Sequence, residues 1–105
     1  MNDYRIILTG KAKHDIISIG DYITYTLLEP ATSKKFIKGL RKSISQLQFF
    51  PYKYPLVQDE LLQYQKIRCM PYKNFYIFYT VREDELTVAV LRVGYNRKNW
   101  KNILS

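Results

Sequence analysis

One cysteine, Cys69, and one histidine, His14, are all that the 105 residues offer a disulfide framework or a structural zinc site. Both staples are therefore excluded, and stability has to come from packing. Glycine and proline are scarce at four each, and hydrophobic residues make up 47%, which excludes collagen-like, low-complexity and disordered chains. No apolar run approaches the roughly 18 residues that a membrane span needs. The start, Met-Asn-Asp-Tyr-Arg, lacks a basic segment leading into an apolar one, and the lone thiol suits a reducing compartment. A cytoplasmic protein with no membrane partner is expected, with the whole chain, 1–105, forming a single domain.

Acids are also scarce. Lysine and arginine number 17 against 9 acids, a net charge of +8. No acid occurs between Glu29 and Asp59, a stretch holding Lys34, Lys35, Lys38, Arg41, Lys42 and Lys53. None comes after Glu85, where Arg92, Arg97, Lys98 and Lys101 stand. Any one of these cations reads as a solvated residue that keeps a small protein soluble. Two one-signed stretches together read as a binding surface for a polyanion or an acidic protein, with Lys34, Lys35, Lys38, Arg41, Lys42 and Lys98 as its residues.

Among the residues that are present, Tyr4 to Leu8 is a short β-forming run, and Thr9-Gly10 supplies a turn and a helix N-cap. Ala12, Ile16, Ile19, Ile23 and Leu27 recur at helical spacing, predicting a helix to about Leu28 that stops at Glu29-Pro30. Pro30 opens a second helix with the stripe Phe36, Leu40, Ile44 and Leu47, its lysines on the other face. Residues 49–62, with Pro51 and Pro55, read as an extended, partly buried connection. Tyr64–Met70, Phe75–Val81 and Leu86–Val93 are three β runs separated by polar turns at 71–74 and 82–85. The expected fold is α+β, β-α-α-β-β-β: an antiparallel sheet covered on one face by a helical hairpin. Trp100, Ile103 and Leu104 suggest a short C-terminal helix.

Neither a glycine-rich phosphate loop, a Ser/His/Asp or Cys/His arrangement, nor a metal site is present, and no cofactor is expected. His14 reads as a surface residue and Cys69 as a small packing residue in a strand. The groups left for chemistry are Arg, Lys and Tyr, which suffice for one reaction class, cleavage of RNA through its own 2′-hydroxyl. There cations stabilise the pentacoordinate phosphate and Lys or Tyr moves protons. The candidates cluster in the β half: Lys66 and Arg68, Tyr72 and Lys73, and Tyr95 and Arg97. If Ile67 and Cys69 face the helices, Lys66 and Arg68 lie together on the open face.

The order of Tyr4-Arg-Ile-Ile-Leu-Thr9 with Ala12 and Asp15, Phe49-Phe-Pro51, Ile67-Arg68, Phe75-Tyr-Ile-Phe-Tyr79 and Arg92-Val-Gly-Tyr-Asn-Arg-Lys-Asn-Trp100 resembles the RelE/ParE superfamily of bacterial type II toxins. The likeness spans nearly the whole chain. It implies a toxin held inactive by a cognate acidic antitoxin that wraps it in a hetero-oligomer. It implies one of two targets. RelE-like and YoeB-like members are ribosome-dependent mRNA endoribonucleases, for which Arg68 and Arg97 would stabilise phosphate and Tyr95, Lys66 or Lys73 would move protons. This chain has Gly94 where a histidine would precede the terminal tyrosine, and Phe75-Tyr76 lacks the RelE-like arginine. Its strand wording and Arg97-Lys98-Asn99-Trp100 ending are closer to ParE-like proteins, which poison DNA gyrase without being nucleases.

Overall fold

The computed structural model describes residues 3–59 and 64–95. Strand β1 is Arg5–Leu8. It leads into helix α1, Gly10–Asp21, through Thr9, whose hydroxyl oxygen accepts the Ala12 N–H at 3.1 Å and donates to the Leu91 carbonyl at 2.9 Å. One side chain thus caps the helix and fixes its start to the sheet. Ala12 and Ile16 point inward as the periodicity predicts. Beyond Asp21 the helix widens into a π-helical turn, Tyr22–Thr26, over the β-branched and aromatic run Tyr-Ile-Thr-Tyr-Thr. Such residues crowd an α turn, and the wider turn rotates the residues beyond it about the helix axis. Ile23 stays buried, but Leu27, expected on the apolar stripe, is 48% exposed. Leu28 ends the segment in the left-handed region, φ 58°.

Helix α2, Pro30–Ser45, begins on Pro30 and buries Ser33, Phe36, Leu40 and Ile44, with Leu47 next in a short 3₁₀ turn. The buried Ser33 hydroxyl donates to the Gly20 carbonyl at 2.9 Å, locking the two helices side by side. Its lysines and arginine lie on the exposed side.

Strands β2 (Ile67–Tyr72), β3 (Phe75–Arg82) and β4 (Thr87–Gly94) form the expected antiparallel meander. A bulge interrupts the β3–β4 ladder between Phe78 and Tyr79. The sheet is not antiparallel throughout. Strand order is β1-β4-β3-β2, and β1 runs parallel to β4, with Arg5 opposite Thr87 and Leu8 opposite Val90. The helical hairpin is the crossover that lets the chain's first strand lie parallel beside its last. Pro71 and Tyr72, expected in a turn, belong to β2 and pair with Tyr76 and Phe75. Proline is tolerated there because β2 is the last strand of the sheet.

The helices cover one face of the sheet, burying Ile16, Phe36, Leu40, Ile44 and Leu47 against Met70, Ile77, Tyr79, Val88 and Val90. The other face carries a smaller cluster of Val57, Ile67, Cys69 and Phe78. Ile67 and Cys69 therefore face away from the helices, against the expectation. What covers them is the connection after α2: the Val57 N–H donates to the Ile67 carbonyl at 2.8 Å, and Val57 is fully buried. Arg68, by alternation, lies on the helical side with Met70, opposite Tyr79, beyond the reach of α2. The tail helix expected around Trp100, Ile103 and Leu104 lies outside the described residues, as do Arg97 and Lys98. Among the described residues no helix is long and apolar enough to cross a membrane.

Candidate functional site

At the end of the sheet where β2 begins and β3 ends, a cleft of about 610 Å³ is lined by Tyr52, Leu56, Lys66, Arg68, Val81, Arg82, Glu83 and Asp84. Three separate stretches of chain build it. The connection after α2 contributes Tyr52 and Leu56, the start of β2 contributes Lys66 and Arg68, and the end of β3 with the turn after it contributes Val81 to Asp84. Lys66 holds φ 57°, a left-handed turn into the strand. Arg68 is half-buried; one guanidinium nitrogen donates to the Tyr54 carbonyl at 2.7 Å, and the guanidinium carbon lies 5.0 Å from the Tyr52 ring centroid. Stacking and hydrogen bonding fix its plane.

Glu83 closes the same cleft. The Tyr52 hydroxyl donates to it at 2.5 Å, and the Tyr4 hydroxyl contacts both carboxylate oxygens at 2.9 and 2.8 Å. The two tyrosine rings meet edge to face at 6.4 Å. Donation from Tyr52 first and Tyr4 second holds the Glu83 carboxyl below its ordinary range. The same bond pushes Tyr52 up to about 12, and Tyr4 moves in the same direction. Beneath them Tyr79 is buried, donates to the Pro51 carbonyl at 2.7 Å, and is pushed by burial up to about 12. At neutral pH the cleft thus presents an ionised carboxylate tied to protonated tyrosines, beside Lys66, Arg68 and Arg82.

The predicted residues separate into two groups. Lys66 and Arg68 share the cleft. Lys73 and Tyr95 sit at the other end of β2, about 16 Å along the strand from Arg68. There Tyr95, 68% exposed, meets the Phe75 ring at 5.5 Å, Phe75 meets Phe36 at 5.1 Å, and the Lys73 ammonium lies 5.9 Å from the Phe36 ring centroid. Lys34, Lys35, Lys38, Arg41 and Lys42 all lie exposed along α2. His14 is on the surface, its Nε2 3.5 Å from the Ser18 hydroxyl, and Cys69 is buried. Sequence reasoning missed Tyr4, Tyr52 and Glu83. Glu83 reads as one of several polar residues in a turn, and nothing in its spacing ties it to tyrosines 31 and 79 positions away.

A second anchored pair holds the frame. Asp15 of α1 accepts both Arg92 Nε at 2.7 Å and Arg92 Nη2 at 2.9 Å, and also the Val93 N–H at 2.9 Å. The hydrogen bond to Asp15 raises the Arg92 pKa. This joins α1 to the end of β4 from which Tyr95 projects.

A helical hairpin on a mixed four-stranded sheet, with a cationic cleft at one corner and no cluster of metal-ligating side chains among the described residues, defines a class of small basic α+β modules. Residues 6–100 match the family described as the ParE toxin of the type II toxin-antitoxin system parDE, and the chain belongs to that family. It is a toxin of a type II toxin-antitoxin system within the RelE/ParE superfamily. Among solved structures it is similar to the chromosomal ParDE system of P. aeruginosa, with a TM-score of 0.72 and 18% identity over 88% of this chain and 95% of that one. It is also similar to the RelBE2 toxin-antitoxin complex of Mycobacterium tuberculosis, at 0.66 and 17% over 90% and 99%. No curated protein matches it in sequence.

Proposed function

We propose that this toxin arrests growth by binding and poisoning DNA gyrase, as a binding module without a catalytic step. The observation that carries this reading is the state of the acid–base groups in the cleft. A general base or acid works best with a pKa near the working pH. Here Glu83 is pushed down and Tyr52 up to about 12, both away from neutrality. Arg68 is committed to a backbone carbonyl and a tyrosine ring. Such a cleft holds its shape and offers charge, and its Glu83 and Tyr52 are shifted away from the range in which a proton is readily moved. The family match supports the same reading.

The alternative is a ribosome-dependent, metal-independent mRNA endoribonuclease, favoured by one observation: Lys66, Arg68 and Arg82 converge on a single cleft that a phosphate can enter. In that reading the cations stabilise the pentacoordinate phosphate. One purified sample assayed for gyrase supercoiling and for mRNA cleavage on programmed ribosomes separates the two. Supercoiling should fail while mRNA stays intact. Cleavage that disappears in Arg68→Ala would replace this reading with the nuclease.

Neutralisation belongs to a cognate acidic antitoxin. Strand β1 lies at the sheet edge, and beside it Ile6, Leu8, Ile16, Ile17 and Ile44 line an open groove of about 520 Å³ with Lys13 and Arg41. An extended or helical segment carrying apolar side chains and carboxylates fits that mixture.

A further inference from the structure

We propose that the outer face of α2 binds the phosphate backbone of duplex DNA. At 100° per residue, Lys34, Lys35, Lys38, Arg41 and Lys42 fall within an arc of about 120°, opposite the buried stripe of Phe36, Leu40 and Ile44. All five are exposed, and among the described residues none of their side chains makes a hydrogen bond or ion pair. Along the row Lys34, Lys38 and Lys42 the cations rise by about 6 Å per step, with Lys35 and Arg41 to either side, and the helix beneath them is anchored by its core contacts and by the Ser33 bond to Gly20. The backbone positions from which the five charges project are therefore set by the fold.

Two features select the ligand. A protein partner is gripped by an apolar or aromatic anchor within a polar rim. No large hydrophobic residue is exposed on α2; Ile17 meets only the flank of this face, in the groove it lines with Arg41, and Tyr22, Tyr25, Phe49 and Phe50 lie on other segments. Single-stranded nucleic acid is held by stacking of its bases on aromatic rings, and this face has none. A surface of cations alone suits a ligand that shows phosphates outside and keeps its bases stacked within, which is a duplex. This inference does not depend on whether gyrase or the ribosome is the target.

The test is anisotropy of a fluorescein-labelled duplex of about 20 bp and mixed sequence, titrated with the full-length protein at salt concentrations between about 50 and 200 mM. Five phosphate contacts predict a slope of log K against log salt of about −4.5, and the K34Q/K38Q variant should flatten it by about 2. Its melting temperature, measured alongside, should match the parent, since both side chains are exposed. Absence of binding at the lowest salt would overturn the proposal, as would an unchanged slope in the folded variant. Tighter binding to a single strand, to an RNA duplex or to polyglutamate at equal salt would overturn the choice of ligand.

Discussion

At Gly39 the missing side chain makes room for the Tyr72 hydroxyl, which donates to the Phe36 carbonyl at 3.1 Å. A Cβ built there would collide with that hydroxyl. Alanine is favoured over glycine inside a helix by about 1 kcal/mol, but overpacking costs about 1–3 kcal/mol. Gly39→Ala should therefore destabilise the protein in urea unfolding. In a Tyr72→Phe background the collision is largely gone, and the penalty of Gly39→Ala should shrink by at least about 1 kcal/mol. Equal penalties in the two backgrounds would show that the hydroxyl is not the obstacle. Asp15 is the other residue on which much depends, since it satisfies the Arg92 guanidinium and the Val93 N–H together. With Asp15 11% and Arg92 24% exposed, Asp15→Ala should cost about 2–3 kcal/mol by the same measurement, because it removes the carboxylate from a partly buried ion pair and the acceptor of the Val93 N–H.

Among the elements, the β3–β4 turn carries a pH-sensitive tie. Glu83 has its carboxyl lowered in the folded protein, so its contribution is present above the unfolded value and is lost as pH falls through the folded one. Tyr52 is raised from 10.0 to about 12, so its contribution is complete below the unfolded value and is lost as pH rises through about 12. Thermal melts should show Glu83→Gln losing less stability than the parent between neutral pH and about pH 3, and Tyr52→Phe losing less above about pH 10. Identical acid profiles for Glu83→Gln and parent would remove the tie.

The helices and the meander were legible because periods of 3.6 and 2 are properties of local sequence: Phe36, Leu40 and Ile44 could face only one way once α2 formed. The direction of β1 was not, because four residues carry a pattern but no polarity relative to a partner 82 positions away. The alternation of Ile67 and Cys69 was correct in period and inverted in face, since a partly buried, proline-containing connection gives no sign of which face of the sheet it will cover. The cleft was legible only through Lys66 and Arg68, which sit two apart on one stretch of chain. Tyr4, Tyr52 and Glu83 meet through tertiary structure alone.

For the whole molecule, a net charge of +8 on 105 residues means that folding gathers like charges. Adding an acidic partner relieves that repulsion and covers apolar surface, and a ligand that binds only the folded state stabilises it by mass action. The melting temperature of the toxin should therefore rise with antitoxin concentration, and an unchanged value at saturation would rule out the proposed partner surface.

Strand β1 also sets a timetable. Its parallel partner begins at Thr87, so the first strand waits for the last to be made. At about 5–20 residues per second the interval is roughly 4–16 s, during which the nascent sheet lacks its fourth strand and α1 lacks Arg92 for Asp15. A copy of this toxin made only as far as β3 is structurally incomplete, and the sheet closes only after Thr87–Gly94 has been made.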